Sequence, residues 1–253
     1  MASRDEIVSF CDELLQVESF SDYGPNGLQV PGAAEVARIA TGVSANLEFL
    51  RRAADAGAEL ALTHHGLLWG DEVRPYSEPM AARLRTLLCN EISLAAYHLP
   101  LDAHAEIGNN ALLRERLGLE ADERPFGAAK GNAIGRIGRA QPALGIEELE
   151  SRLREATGSE PLVFDSGPDR IETVGIVTGS GGFAIHEAGP LGLDALVIGE
   201  PSEPLMGEAR EYGVHLLAGG HYDTETFGVR RLGELLAERF GLEQQFIDVP
   251  NPV

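Results

Sequence analysis

Hydrophobic positions along the chain alternate between helical and strand periods. Over residues 4–17, Ile7, Phe10, Cys11, Leu14 and Leu15 recur at helical spacing, with Ser3 placed to cap and Asp5 and Glu6 in the first turn. A turn-rich stretch, 22–30, follows. Apolar runs then predict strands at 36–43, 60–63 and 92–96, separated by helices at 46–56, 79–90 and 109–117. The pattern restarts downstream. Strands are expected at 173–178, 195–198 and 214–218, with a turn and helix over 181–189 and helices over 203–212 and 227–240. Strands separated by helices predict an α/β fold with mixed, largely parallel sheets. Residues 121–170 carry several Gly and Pro and are read as a connection with one or two strands and one helix, 146–156.

The restart looks like an internal duplication. Thr41-Gly42 matches Thr178-Gly179, and Gly118-Leu119-Glu120 matches Gly241-Leu242-Glu243. His98 matches His221 and Asp102 matches Glu225, both pairs 123 positions apart. The chain is therefore divided into halves at 1–125 and 126–253. The spacing is too long, and the copies too few, for a solenoid.

The matched residues carry metal-ligand chemistry. His64-His65 follows an apolar run, and His98…Asp102 and His221…Glu225 each follow a strand end. Ligands collect at the carboxyl ends of parallel strands. Imidazole with carboxylate suits a divalent transition metal, and there are donors enough for two ions. Successive strand residues face opposite ways, so the adjacent histidines serve one region only if the strand ends before them, a turn Gly66 permits. His98 and His221 either bind metal directly or orient the carboxylates. His64-His65 has no histidine counterpart; Gly199-Glu200 stands there instead, and Glu200 reads equally as a helix-start acid or as support for a ligand. His104, His186 and His215 read as ordinary loop or surface histidines, Asp223 as turn chemistry, and Trp69 and Tyr97 as packing, with walling a pocket as the alternative. Arg136 and Arg139 read as solvated, with a phosphate grip as the alternative. Gly-Ser-Gly-Gly at 179–182 lacks the lysine and the spacing of a phosphate-binding loop.

Composition narrows the function. A formal charge of −20, with Lys130 as the single lysine, disfavours nucleic acid as a partner. No apolar run is long enough to span a membrane, and the N-terminus lacks a signal-peptide pattern, so a cytoplasmic address is expected. Two cysteines, Cys11 and Cys89, suggest neither a disulfide framework nor a thiolate metal site.

With those residues in view, the chain resembles the Nif-three-like dinuclear-metal proteins, also labelled GTP cyclohydrolase 1 type 2 homologs. The likeness runs through Asn26-Gly27-Leu28-Gln29-Val30, His64-His65-Gly66, His98…Asp102, Thr178-Gly179, Gly199-Glu200, Gly220-His221…Glu225 and the ending Ile247-Asp-Val-Pro-Asn-Pro. It is nearest to the short bacterial type. The resemblance implies two intertwined, duplicated α/β halves and a homohexameric ring with metal sites facing a central cavity. It also implies two divalent ions per subunit (Zn, Fe, Mn, Co or Ni) held by His64, His65, Asp102, His221 and Glu225, with His98 close by. The function it implies is a metal-dependent hydrolase acting on a nucleotide or other small anionic substrate. The rival reading is a non-catalytic metal-binding regulatory or interaction protein.

Overall fold

The apolar runs form the central strands of two sheets in the computed structural model, which describes residues 1–70 and 75–253. The chain packs as two compact units, Met1–Leu101 with Gly228–Val249, and Asp102–Phe227 with Pro250–Val253.

The first unit is built on a five-stranded sheet in the order Glu243–Phe246, Arg38–Ser44, Leu60–His65, Ser93–Ala96, Gly27–Val30. Its first three pairings are parallel and the last antiparallel. Consecutive residues of the central strands are buried, as in strands covered on both faces. Helix Leu47–Asp55 starts where the Asn46 side chain accepts from Phe49 N at 2.9 Å. It turns Phe49, Leu50 and Ala53 into a core shared with Leu87, Leu94 and Ile247. The first helix is Arg4–Leu14, shorter than its apolar period suggests; Gln16 adopts a left-handed φ of 52° before a 3-10 turn, Val17–Ser19. Ser3 occupies the cap position without a side-chain hydrogen bond.

The second unit carries a six-stranded sheet in the order Leu162–Phe164, His215–Ala218, Ala195–Ile198, Ile171–Val177, Arg136–Leu144, Glu120–Asp122. Ala195–Ile198 runs parallel to both its neighbours, and the remaining pairings are antiparallel. Leu113, Leu149, Leu153, Val174 and Val197 are among its fully buried residues.

Strand register repeats between the sheets. Ile39 pairs with Leu60 and Val174 with Ala195, in each case the residue 21 positions on. In both sheets the third parallel strand carries an antiparallel edge strand outside it. These matching trios are the structural form of the duplication.

Residues 121–170 hold more strand than the pattern predicts. Ala128–Ala129 and Asn132–Ala133 form a small ribbon, and Arg136–Leu144 and Leu162–Phe164 join the second sheet. The reason is local. Arg136–Leu144 includes Gly138 and Pro142, and its register with Ile171–Val177 shifts between Arg139 and Leu144, which breaks the period-two signature. Helix Ile146–Thr157 lies where it is expected. No helix among the described residues is long and apolar enough to cross a membrane, and neither Cys11 nor Cys89 is in a disulfide.

Candidate metal centre

In the first unit, strand Leu60–His65 continues through both histidines, against the expectation that it ends before them. The ladder with Ser93–Ala96 stops at Thr63, whereas Ser44 still pairs with His65 on the other side. At this strand end the two rings come to 4.7 Å between centroids. His98 follows the neighbouring strand, and its ring lies 5.1 Å from His64 and 5.5 Å from His65. One ring nitrogen of each of the three lies within 4.8 Å of the others.

Each of these rings is oriented through Nδ1. His64 Nδ1 is 2.9 Å from the Tyr97 carbonyl, which can only accept, so Nδ1 carries the proton and Nε2 carries the lone pair. His98 Nδ1 is 2.7 Å from Asp22 Oδ1, and His65 Nδ1 is 3.1 Å from Ser44 Oγ. Burial works to raise the Asp22 carboxyl, but hydrogen bonds from His98, Asn26 and the Tyr23 amide outweigh it and hold it below the usual carboxylate range. Fixing one imidazole nitrogen so that the other presents a lone pair is how metal-binding histidines are held.

In the second unit, Asp102 is buried in helix Leu99–Ala103, and its Oδ1 accepts from Asn109 Nδ2 at 2.8 Å. Asn110 donates to the Asp102 and Ile134 carbonyls, while its Oδ1 accepts from Thr178 N at 2.8 Å. This ties the acid to the end of strand Ile171–Val177. His221 Nδ1 sits 2.9 Å from Glu200 Oε1, and its Nε2 sits 3.1 Å from Glu225 Oε2. Burial alone would lower the His221 pKa, but Glu225 and then Glu200 outweigh it and raise it to about 9. Gly179, at φ +64°, leaves the room that the buried Glu225 carboxylate fills.

The donors fit a divalent ion by their chemistry. Imidazoles with lone pairs directed by their neighbours, and buried carboxylates, are borderline-metal ligands. Two buried hydroxyls, Thr63 Oγ1 and Thr178 Oγ1, have no hydrogen-bond partner among the described residues, and each adjoins a candidate ligand segment. An unmet buried hydroxyl is costly without a ligand or water to satisfy it.

The other histidines behave differently. His215 is buried and uses both nitrogens on backbone, Nδ1 accepting from Ser166 and Gly167 amides and Nε2 facing the Pro168 carbonyl. It is a structural residue inside the fold, not a surface one. His104 accepts from the Glu106 and Ile107 amides in a turn, and His186 is exposed near Glu208. Arg136 is half-buried and donates to the Gly135 and Ala103 carbonyls, while Arg139 pairs with Asp122, so neither is a bare solvated cation. Tyr97 is buried packing, with its hydroxyl on Asp12 at 2.8 Å. Trp69 instead lines the cleft beside His64 and His98. Glu200 supports His221, and Asp223 accepts from Ser159 Oγ at 2.5 Å. Asp22, Ser44, Asn109 and Asn110 carry no such signal in the sequence. The only hint is that Asp22 opens a loop whose Asn26 belongs to the family-like motif.

A family model described as Duf34/NIF3 (NGG1p interacting factor 3) matches residues 2–252. The chain belongs to the Duf34/NIF3 family. A Deinococcus radiodurans member named "GTP cyclohydrolase 1 type 2 homolog" is 41% identical over 250 residues, covering 98% of this chain and 94% of the relative. Two solved structures of similar proteins bear out the fold. The protein ybgI, titled as of unknown function, matches with a TM-score of 0.94 at 38% identity over 100% of both chains. A Thermus thermophilus protein matches with a TM-score of 0.87 at 37% identity, again over 100% of both. The mixed α/β architecture is thus a Duf34/NIF3 architecture.

Proposed function

We propose that this chain is a metal-dependent hydrolase whose candidate ligands, His64, His65, Asp102, His221 and Glu225, hold two divalent ions. The observation that supports it most is the way His64, His98 and His221 are each held at Nδ1 by an oxygen acceptor. The relatives' shared name supports hydrolysis of a nucleotide-like or other small anionic substrate, with ring opening of a purine-type base as the concrete form. Bound there, divalent ions would acidify a water and favour a developing oxyanion.

The chain's own groups have separable tasks. His64 is locked in one tautomer by the Tyr97 carbonyl. Asn109 fixes the Asp102 carboxylate. Glu200 and Ser180 brace His221, with Ser180 Oγ donating to Glu200 Oε1 at 2.6 Å. His98, with Asp22 behind its Nδ1, is placed to take or give a proton at Nε2. A cytoplasmic homohexamer, with its sites facing a shared cavity, is part of the same proposal. Turnover of a nucleotide and phosphoester panel, measured with metal-loaded and chelated protein, tests the activity. Metal-dependent product supports it, and no turnover with both sites filled favours a metal-holding protein without catalysis.

A further inference from the structure

Trp69 is the single tryptophan of the chain, and it is 48% exposed beside the first unit's histidines. Its ring centroid lies 5.2 Å from that of His98 and 5.7 Å from that of His65. Indole Nε1 donates to the Gly66 carbonyl at 3.1 Å, which occupies the ring's one polar group and sets its plane. The segment that carries it is anchored. Gly70 N donates to the Tyr23 carbonyl at 2.7 Å, and Leu67 N to Gln29 Oε1 at 2.8 Å. Gly24 lies so close to the Leu68 carbonyl that no side chain could stand there. Leu68, which lines the same cleft, and Tyr23, whose ring centroid is 6.1 Å from that of His98, are exposed as well, and an exposed apolar cluster beside ligand-type groups is what a binding surface presents.

The cleft under the indole, shared with Asn26, Gln29, His64 and His98, has room for about 10 Å³, one water's worth. A substrate ring cannot enter it and must lie on the open face of Trp69. The amides lining the cleft are oriented by the protein itself. Asn26 Nδ2 donates to Asp22 and its Oδ1 accepts from His98 N, while Gln29 Nε2 donates to the Pro25 carbonyl.

We propose that Trp69 is the platform on which a planar heteroaromatic ring of the substrate stacks, which brings the ring itself, rather than a phosphate tail, beside the histidines. This rests on the hydrolase reading above and names its substrate class. Offset aromatic pairs settle with centroids about 4.5–7 Å apart, the same scale as the Trp69–His98 spacing, so a stacked ring has its edge at the imidazoles. A stack recognises the face of the ring, which every purine presents. Guanine and adenine nucleotides should therefore bind within a few-fold of one another.

Trp69 fluorescence tests this without an activity assay, since no other tryptophan contributes. In the native, metal-loaded protein, GMP and AMP should quench the emission and ribose 5-phosphate should not. Trp69→Ala should weaken GMP binding in equilibrium dialysis about 10- to 100-fold, the scale of a lost base–aromatic stack. Trp69→Phe should stay within a few-fold, and both variants should keep the wild-type metal content. Equal quenching by ribose 5-phosphate, or GMP binding untouched by Trp69→Ala, overturns the proposal. So does an indole shielded from acrylamide in the native assembly, which would mean that a second copy covers it. Co²⁺ added to metal-free protein separates the two readings. If Co²⁺ quenches and nucleotides do not, stacking fails and the metal reading stands; if neither quenches, both fail.

Discussion

Asp22 Oδ1 lies 2.7 Å from His98 Nδ1, and the same carboxylate accepts from Tyr23 N at 2.6 Å, Leu99 N at 2.9 Å and Asn26 Nδ2 at 2.9 Å. One buried acid thus fixes the imidazole, the loop before strand Gly27–Val30 and the start of helix Leu99–Ala103. Removing it leaves several donors unmet at once, one of them on a ring. Asp22→Ala should cost about 3–5 kcal/mol in urea unfolding, as for a broken buried charged network, whereas Asp22→Asn keeps one acceptor and should cost about half as much. A loss within about 0.5 kcal/mol for the alanine variant, the range of ordinary surface changes, would contradict this role.

His64 and His215 are both buried histidines, yet their hydrogen bonds assign them different work. His215 satisfies three backbone groups of the 166–168 turn. His215→Ala should destabilise the fold by about 2–4 kcal/mol and leave the metal content of the folded protein unchanged. His64→Ala should lower metal content. Elemental analysis and urea melts of the two variants, side by side, check the contrast. Metal loss in His215→Ala at full folding would reverse the assignment.

Gly179 combines a left-handed backbone with contact to the Glu225 carboxylate. Alanine there carries a left-handed penalty of about 1–2 kcal/mol, and its methyl also displaces the acid. Gly179→Ala should therefore lower both stability and metal content. A variant that keeps full metal content would show that Glu225 is not a ligand.

The chemistry of the site was more legible than its support. His64, His65, His98, Asp102, His221 and Glu225 stand out because few residue types bind metal and because the pattern recurs at one spacing. Asp22, Asn109 and Asn110 look like ordinary turn and helix-start residues, and only their partners across the fold reveal what they hold. The central strands were visible as apolar runs because both their faces are buried. Glu243–Phe246 was not, since its pattern is polar and half-exposed and its pairing with Arg38–Ser44 spans most of the chain. Arg136–Leu144 is strand-like in the sequence around Arg136 and Arg139, but Gly138, Pro142 and its register shift obscure its length.

Asp122 provides a pH test away from the metal ligands. Arg124 donates to its carboxylate, and Arg139 adds a second contact; against the burial that works the other way, they pull its pKa to about 2 from an ordinary 3.8. A folded-state pKa below the unfolded one gives stability that is present above about pH 4 and lost as pH falls towards 2. Asp122→Asn should therefore lose stability at neutral pH and converge with the wild type towards pH 2. Parallel acid-unfolding curves for the two proteins would show that the pairing contributes nothing.

The most direct test is the metal content of anaerobically purified protein, wild type beside Asp102→Ala and His221→Ala, each shown to be folded by circular dichroism. The account predicts about two divalent ions per wild-type chain and loss of one or both in each variant. Equal metal content in all three proteins would contradict it.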